Sequence, residues 1–195
     1  MPYARCSRCG LSSYAVRGWA SRPECPGCGA VLDLGAPFPR PDSDPDPAAH
    51  GLHEVLALAL QELDMDVAFV AEVVEGREVF HVVEGDGERF GISAGMSHAL
   101  IDTVCEAVLA GRAPRVIPDV RDPGIVEALR LDDKIDVGAY VGAPIGLRDA
   151  RLYMLCCLAA ESRPELGEAE DRFMLGLRET VRARLEDGVA PSLRS

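Results

Sequence analysis

No stretch of this chain approaches the ~18 to 20 consecutive apolar residues that span a bilayer. Its opening residues, MPYARCSRCG, lack the apolar region of a secretory signal, so a cytoplasmic protein with no membrane partner is expected. Catalytic signatures are missing too. The patterns GxGxxG, GxxxxGKS/T and HExxH occur nowhere, and the one GxSxG stretch, Gly91-Ile-Ser93-Ala-Gly95, is set off from the preceding strand by a loop instead of forming a sharp strand-to-helix turn, which leaves dehydrogenase, kinase and hydrolase chemistry without carriers; the expectation is that the protein is not an enzyme. Basic charge is scarce outside the N-terminus. Residues 1–40 hold Arg5, Arg8, Arg17, Arg22 and Arg40 against Glu24 and Asp33, a balance of +3 in a chain of net charge −12, so the remainder carries −15. Such a surface is poorly suited to wrapping nucleic acid, and any such contact belongs to the N-terminal stretch.

What the chain does have is sulfur in a pattern. Seven cysteines in a protein with no export signal point to metal ligands and buried thiols rather than disulfides. Cys6-Ser-Arg-Cys9 and Cys25-Pro-Gly-Cys28 are separated by 15 residues, each followed by glycine. A CxxC turn presents two thiolates to one ion, and four of them make a closed tetrahedral zinc site with no open position for catalysis. Iron and a redox pair of CxxC motifs also suit the spacing. Trp19, with Arg17 and Arg22 beside it, is either a contact surface or the packing centre of a module too small for another core. Residues 1–34 thus form one small unit, and the proline- and aspartate-rich residues 35–50 read as an extended linker.

The 195 residues, 48% of them hydrophobic, leave room for one ordinary domain over 51–188 and a tail over 189–195. Leu52, Val55, Leu56, Ala59, Leu60 and Leu63 recur at helical spacing. Val67–Val74 and Glu78–Val83 read as strands joined by Glu75-Gly76-Arg77. Ser97–Ala110 reads as a helix with Ser97 as N-cap and Gly111 as its stop, and a short helix is expected over Ile125–Leu131. Val137–Ala160 reads as two antiparallel strands around Arg148, Asp149 and Ala150. They are apolar on both faces, so both sides of their sheet must be covered. A final helix runs over Glu165–Glu186 with Leu166, Ala169, Phe173, Leu177, Val181 and Leu185 on one face.

Residues 3–34 resemble the zinc ribbon family. Over 52–187 the chain resembles the GAF domain family, on the residues Ile101–Asp119, where a helix bearing Cys105 leads to a Pro118-Asp119 turn, on Tyr140-Val-Gly142-Ala-Pro144-Ile145, and on the strand Leu152–Leu158. The resemblance implies an α+β fold: a six-stranded antiparallel sheet with helices on both faces, the terminal helices together on one face and often paired between subunits. It also implies a small-molecule pocket on the other face, closed by residues 97–131. Phe80, His81, His98, Cys105 and Tyr140 are the pocket candidates, each weighed against a role in core packing or a plain hydrogen bond. Members that attach a bilin follow the cysteine with histidine, whereas Glu106 follows Cys105, and the cyclic-nucleotide motif of the family has no counterpart. Cys156 and Cys157, adjacent in a strand, point to opposite faces.

The expected function is signal transduction: a GAF-like domain that senses a small ligand or dimerises, with the ribbon engaging a protein partner. One alternative is transcriptional regulation by DNA binding through the ribbon. A further alternative is a methionine sulfoxide reductase using Cys105, Cys156 and Cys157.

Overall fold

The computed structural model describes residues 3–5, 12–14, 47–129 and 137–188. The chain divides into two units, 1–45 and 46–195. In the first, β1 (Tyr3–Arg5) pairs antiparallel with β2 (Ser12–Tyr14), Tyr3 opposite Tyr14. The four expected zinc ligands, Cys6, Cys9, Cys25 and Cys28, lie outside the described residues, as do Trp19 and residues 35–46.

The second unit opens with α1 (Pro47–Leu63), which begins inside the stretch read as linker. Proline is compatible with a first helical position because its missing N–H has no intrahelical partner there. Then follow β3 (Val67–Val74) and β4 (Arg77–Gly85), joined by Glu75 and Gly76 at φ 51° and 74°. Two positive-φ residues give the turn whose twist matches a tight hairpin. Next come β5 (Ser97–Ala99), α2 (Val104–Leu109), β6 (Val116–Ile117), α3 (Pro123–Leu129), β7 (Ala139–Gly146), β8 (Leu152–Ala159) and α4 (Glu168–Gly188). The sheet is antiparallel throughout, in the order β5-β4-β3-β8-β7-β6. This is the expected six-stranded α+β architecture.

Alternation along the strands divides the interior into two cores. Ala68 and Val70 of β3, Val141 and Ala143 of β7, and Leu155 and Cys157 of β8 face α1 and α4, meeting Leu56, Ala59, Met174 and Val181. Val67, Phe69, Tyr140, Met154 and Cys156 face the opposite way, toward α2, α3 and the connecting segments. Both faces are therefore covered, as two-sided apolar strands require.

The segment 97–110 departs from the expected single helix. Ser97–Ala99 pairs with Arg77–Val79, residues 100–102 make one 3₁₀ turn, and only Val104–Leu109 is α-helical. Ser97 is no N-cap. Its hydroxyl accepts hydrogen bonds from Arg77 Nε and Nη2 at 3.0 and 2.8 Å, while Thr103 Oγ1 caps α2 by accepting from Glu106 N–H at 3.3 Å. An unpaired β4 edge competed with helix propensity here, and three ladder residues outweigh one extra helical turn. The following short helix starts at Pro123, two residues before the expected Ile125, with the Asp122 carboxylate accepting from Gly124 N–H at 2.9 Å. The final helix starts three residues late, at Glu168.

Candidate functional site

The second core contains the only chemistry-bearing cluster that the described residues bring together deep inside the fold. Its centre is set by Gly142. In β7, Gly142 lies opposite Cys156 of β8, and Tyr140, two residues earlier, shares its face. With no side chain at 142, the Tyr140 ring folds back over it. A Cβ there would overlap the Tyr140 hydroxyl oxygen and sit 2.5 Å from Cζ. The Tyr140 hydroxyl thereby reaches Cys156 Sγ at 3.3 Å and donates to Cys105 Sγ at 3.4 Å. Cys105 comes from above, on the second residue of α2, and its sulfur is 3.4 Å from that of Cys156. Tyr140 and Cys156 are fully buried and Cys105 nearly so.

Glu78 completes the group. It sits on β4 between Val73 of β3 and His98 of β5, on the same face as Phe80, and is 2% exposed. A carboxylate oxygen of Glu78 and the two sulfurs all lie within 4.8 Å of one another. Its Oε1 is buried with no hydrogen-bond partner. Burial raises the Glu78 carboxyl above its ordinary value, opposed by a hydrogen bond with Cys105. The Cys105 thiol is pushed well up by its hydrogen bond with Cys156 and by burial, and burial does the same to the Tyr140 phenol. These shifts favour the protonated forms.

Of the five sequence-derived pocket candidates, four share this face: Cys105 and Tyr140 in the cluster, Phe80 and His98 beside it. Phe80 packs edge-on against Phe69 at 5.0 Å and against His98 at 5.2 Å. Burial lowers the His98 imidazole, opposed by a backbone hydrogen bond at Gly91 and reinforced by Arg77. His81 is a correction. It follows Phe80 in the strand, so it points to the other face, where its Nε2 meets Glu72 Oε2 at 3.0 Å and its ring lies 5.6 Å from that of Tyr153. A register shift opposite Val70 and Ala71 leaves His81 without a ladder partner on β3.

Sequence reasoning missed Glu78 and named Cys156 only as one of three thiols open to a reductase, not as a neighbour of Tyr140. A signal for Glu78 was present: it shares strand alternation with Phe80, so an acidic residue breaks an otherwise apolar face. Cys156 alternates with Met154 and Leu158, which places it under α2 once the topology is known. An open cleft among the described residues lies elsewhere, about 560 Å³ between the β6 edge and the start of α4, with Arg115 and Asp171 paired across it at 2.7 and 3.0 Å.

No family model and no curated protein matches the chain. Solved structures do. The GAF domain of an Acinetobacter phosphoenolpyruvate-protein phosphotransferase superposes with a TM-score of 0.58 at 14% identity, covering 76% of this chain and 87% of that one. The corresponding domain from Coxiella burnetii gives 0.55 at 19% identity, covering 73% and 84%. A phycocyanobilin-bound GAF domain from a cyanobacterial phytochrome gives 0.57 at 16% identity, covering 75% and 88%. At these identities the likeness establishes the fold: the domain after residue 46 has the GAF architecture, with its six antiparallel strands in place.

Proposed function

We propose that this protein is a non-enzymatic signal-transduction module, in which the GAF-fold domain senses a small ligand through its α2–α3 face and the N-terminal unit engages a protein partner. The observation that carries the reading is the asymmetry of the two covers. One face of the sheet is closed by two long helices of 17 and 21 residues, the other by β5, a 3₁₀ turn and two helices of six and seven residues. Short, irregular cover over a rigid sheet is where binding energy can reorganise a domain at small cost. The solved neighbours support the reading by their kind: two are domains of phosphotransferases and one is a phytochrome domain holding a chromophore.

The N-terminal CxxC pairs remain the proposed zinc site, with Cys6, Cys9, Cys25 and Cys28 as ligands, and the β1–β2 hairpin brackets the first pair. Homodimerisation through α1 and α4 belongs to the same proposal. Their apolar stripes are spent on the sheet, so a dimer has to use what they leave exposed, such as Leu58. DNA binding through the ribbon stays the alternative for the +3 head.

Native mass spectrometry of the full chain purified without chelator tests the reading. The expected spectrum is a dimer carrying a bound small-molecule mass beyond its metal. A chain without such a mass, and with no change in thermal stability across a panel of cell metabolites, would count against ligand sensing.

A second reading has one observation in its favour. Cys105 and Cys156, with sulfurs 3.4 Å apart, are near enough to serve as the thiol pair that a methionine sulfoxide reductase reading requires. Both sulfurs are buried and the Cys105 thiol is pushed up, which opposes thiolate attack and keeps this reading second. Reduction of free methionine sulfoxide by the parent chain, absent in Cys105→Ala, would promote it.

A further inference from the structure

We infer that Glu78, Cys105 and Cys156 form a buried binding site for one thiophilic divalent transition-metal ion, separate from the CxxC pairs and independent of the sensory reading, since a purely structural ion would serve equally well.

The first ground is geometric. The two sulfurs are 3.4 Å apart and the carboxylate lies within 4.8 Å of both. With metal–sulfur bonds of about 2.3 Å, sulfurs at 3.4 Å subtend about 95° at an ion, so spreading by a few tenths of an ångström reaches tetrahedral geometry. The Tyr140 hydroxyl, 3.3 and 3.4 Å from the same two sulfurs, forms a near-equilateral triangle with them. It is positioned either to donate its one proton to a thiolate or to supply its oxygen as a fourth ligand.

The second ground is the orphaned oxygen. Glu78 is 2% exposed and its Oε1 has no partner. A buried polar atom left unsatisfied is costly, and native folds rarely keep one without an ion, a water or a function to account for it. A cation held by this carboxylate beside the two sulfurs supplies the missing partner when it binds through Oε1.

The third ground is how three different elements converge. Glu78 is held by a ladder on both sides, Cys156 by the sheet centre, and Cys105 by a helix whose entry is fixed by the Thr103 cap. The Glu106 carboxylate on α2 binds Arg112, whose Nε donates to Ala128 O of α3 at 3.3 Å, which braces the helix that carries the sulfur. Two sulfurs with one carboxylate select a borderline-soft ion such as zinc or ferrous iron over magnesium or calcium, which prefer all-oxygen sets. On binding, each ligand yields its proton to solvent.

The test uses the full chain with Cys6→Ser, Cys9→Ser, Cys25→Ser and Cys28→Ser, so that only the buried site remains. Refolded from denaturant in the presence of zinc(II), it should carry one zinc ion by native mass spectrometry. Adding Cys105→Ala and Cys156→Ala should abolish that ion, and adding Glu78→Gln instead should weaken zinc(II) at least tenfold while the circular dichroism of the fold is retained. A folded four-serine chain that carries no zinc, or one whose zinc is unaffected by either addition, overturns the site. Should the four-serine chain fail to fold, the parent chain is compared with its Glu78→Gln form. Loss of one of two zinc ions supports the site, and an unchanged ion count with unchanged affinity overturns it.

Discussion

Replacing Gly142 with alanine is expected to destabilise the GAF-fold domain by about 2 to 3 kcal/mol, at the upper end of overpacking costs, and to lower its melting temperature by roughly 5 to 10 °C. The cause is local. The new methyl would overlap the Tyr140 hydroxyl and crowd Cζ at 2.5 Å, and Tyr140 is fully buried, so its ring has no empty space to enter. Moving the ring also pulls the hydroxyl away from both sulfurs. The cost should therefore depend on the ring. In a Tyr140→Val background, itself destabilised by its cavity, the additional cost of Gly142→Ala should fall below ~1 kcal/mol, giving a large coupling in a double-mutant cycle. Denaturant unfolding of the four chains reads this out. Equal costs in both backgrounds would mean that Gly142 is needed for some other reason.

Phe80→Ala carries the other large effect, about 3 to 5 kcal/mol, the range for removing a buried phenylalanine ring. Phe80 is 2% exposed and loses two edge-to-face contacts, with Phe69 and with His98. Because Phe80 braces β5 through His98, the loss should fall on the α2–α3 face and leave the packing of α1 and α4 on the sheet unchanged. Ile101→Ala serves as the control. That side chain is 73% exposed, and its removal should change stability by less than ~0.5 kcal/mol. A cost for Phe80→Ala below ~1 kcal/mol in chemical denaturation would show that the α2–α3 core is not packed as described.

The two-sided apolar strands were the most legible part of the chain. Tyr140 to Ile145 and Leu152 to Leu158 alternate between two apolar faces, and that demands covers above and below before any topology is known. The terminal helices followed from their periodicity. The region 97–110 was misread because its decisive partner is remote: Ser97–Ala99 becomes a strand only where the β4 edge meets it, and a local window contains no trace of Arg77. The cluster was half legible for the same reason. Cys105 and Tyr140 stood out by type, whereas Cys156 needed the register that sets it opposite Gly142, and Glu78 needed the alternation it shares with Phe80. His81 was a pocket candidate weighed against a plain hydrogen bond, and the bond to Glu72 is what it makes, on the face opposite Phe80.

The measurement that addresses the central claim most directly is amide hydrogen exchange resolved along the full chain, because it ranks the two covers by their opening free energies. The account predicts that amides of residues 97–129 exchange through openings well below the global unfolding free energy, while β3, β8 and the interior turns of α1 and α4 approach it. Loading the protein with its ligand should raise protection chiefly in 97–129. The opposite ranking, with 97–129 as protected as β3 and β8 and with responses confined to α1 and α4, would contradict the assignment of the α2–α3 face as the sensing side.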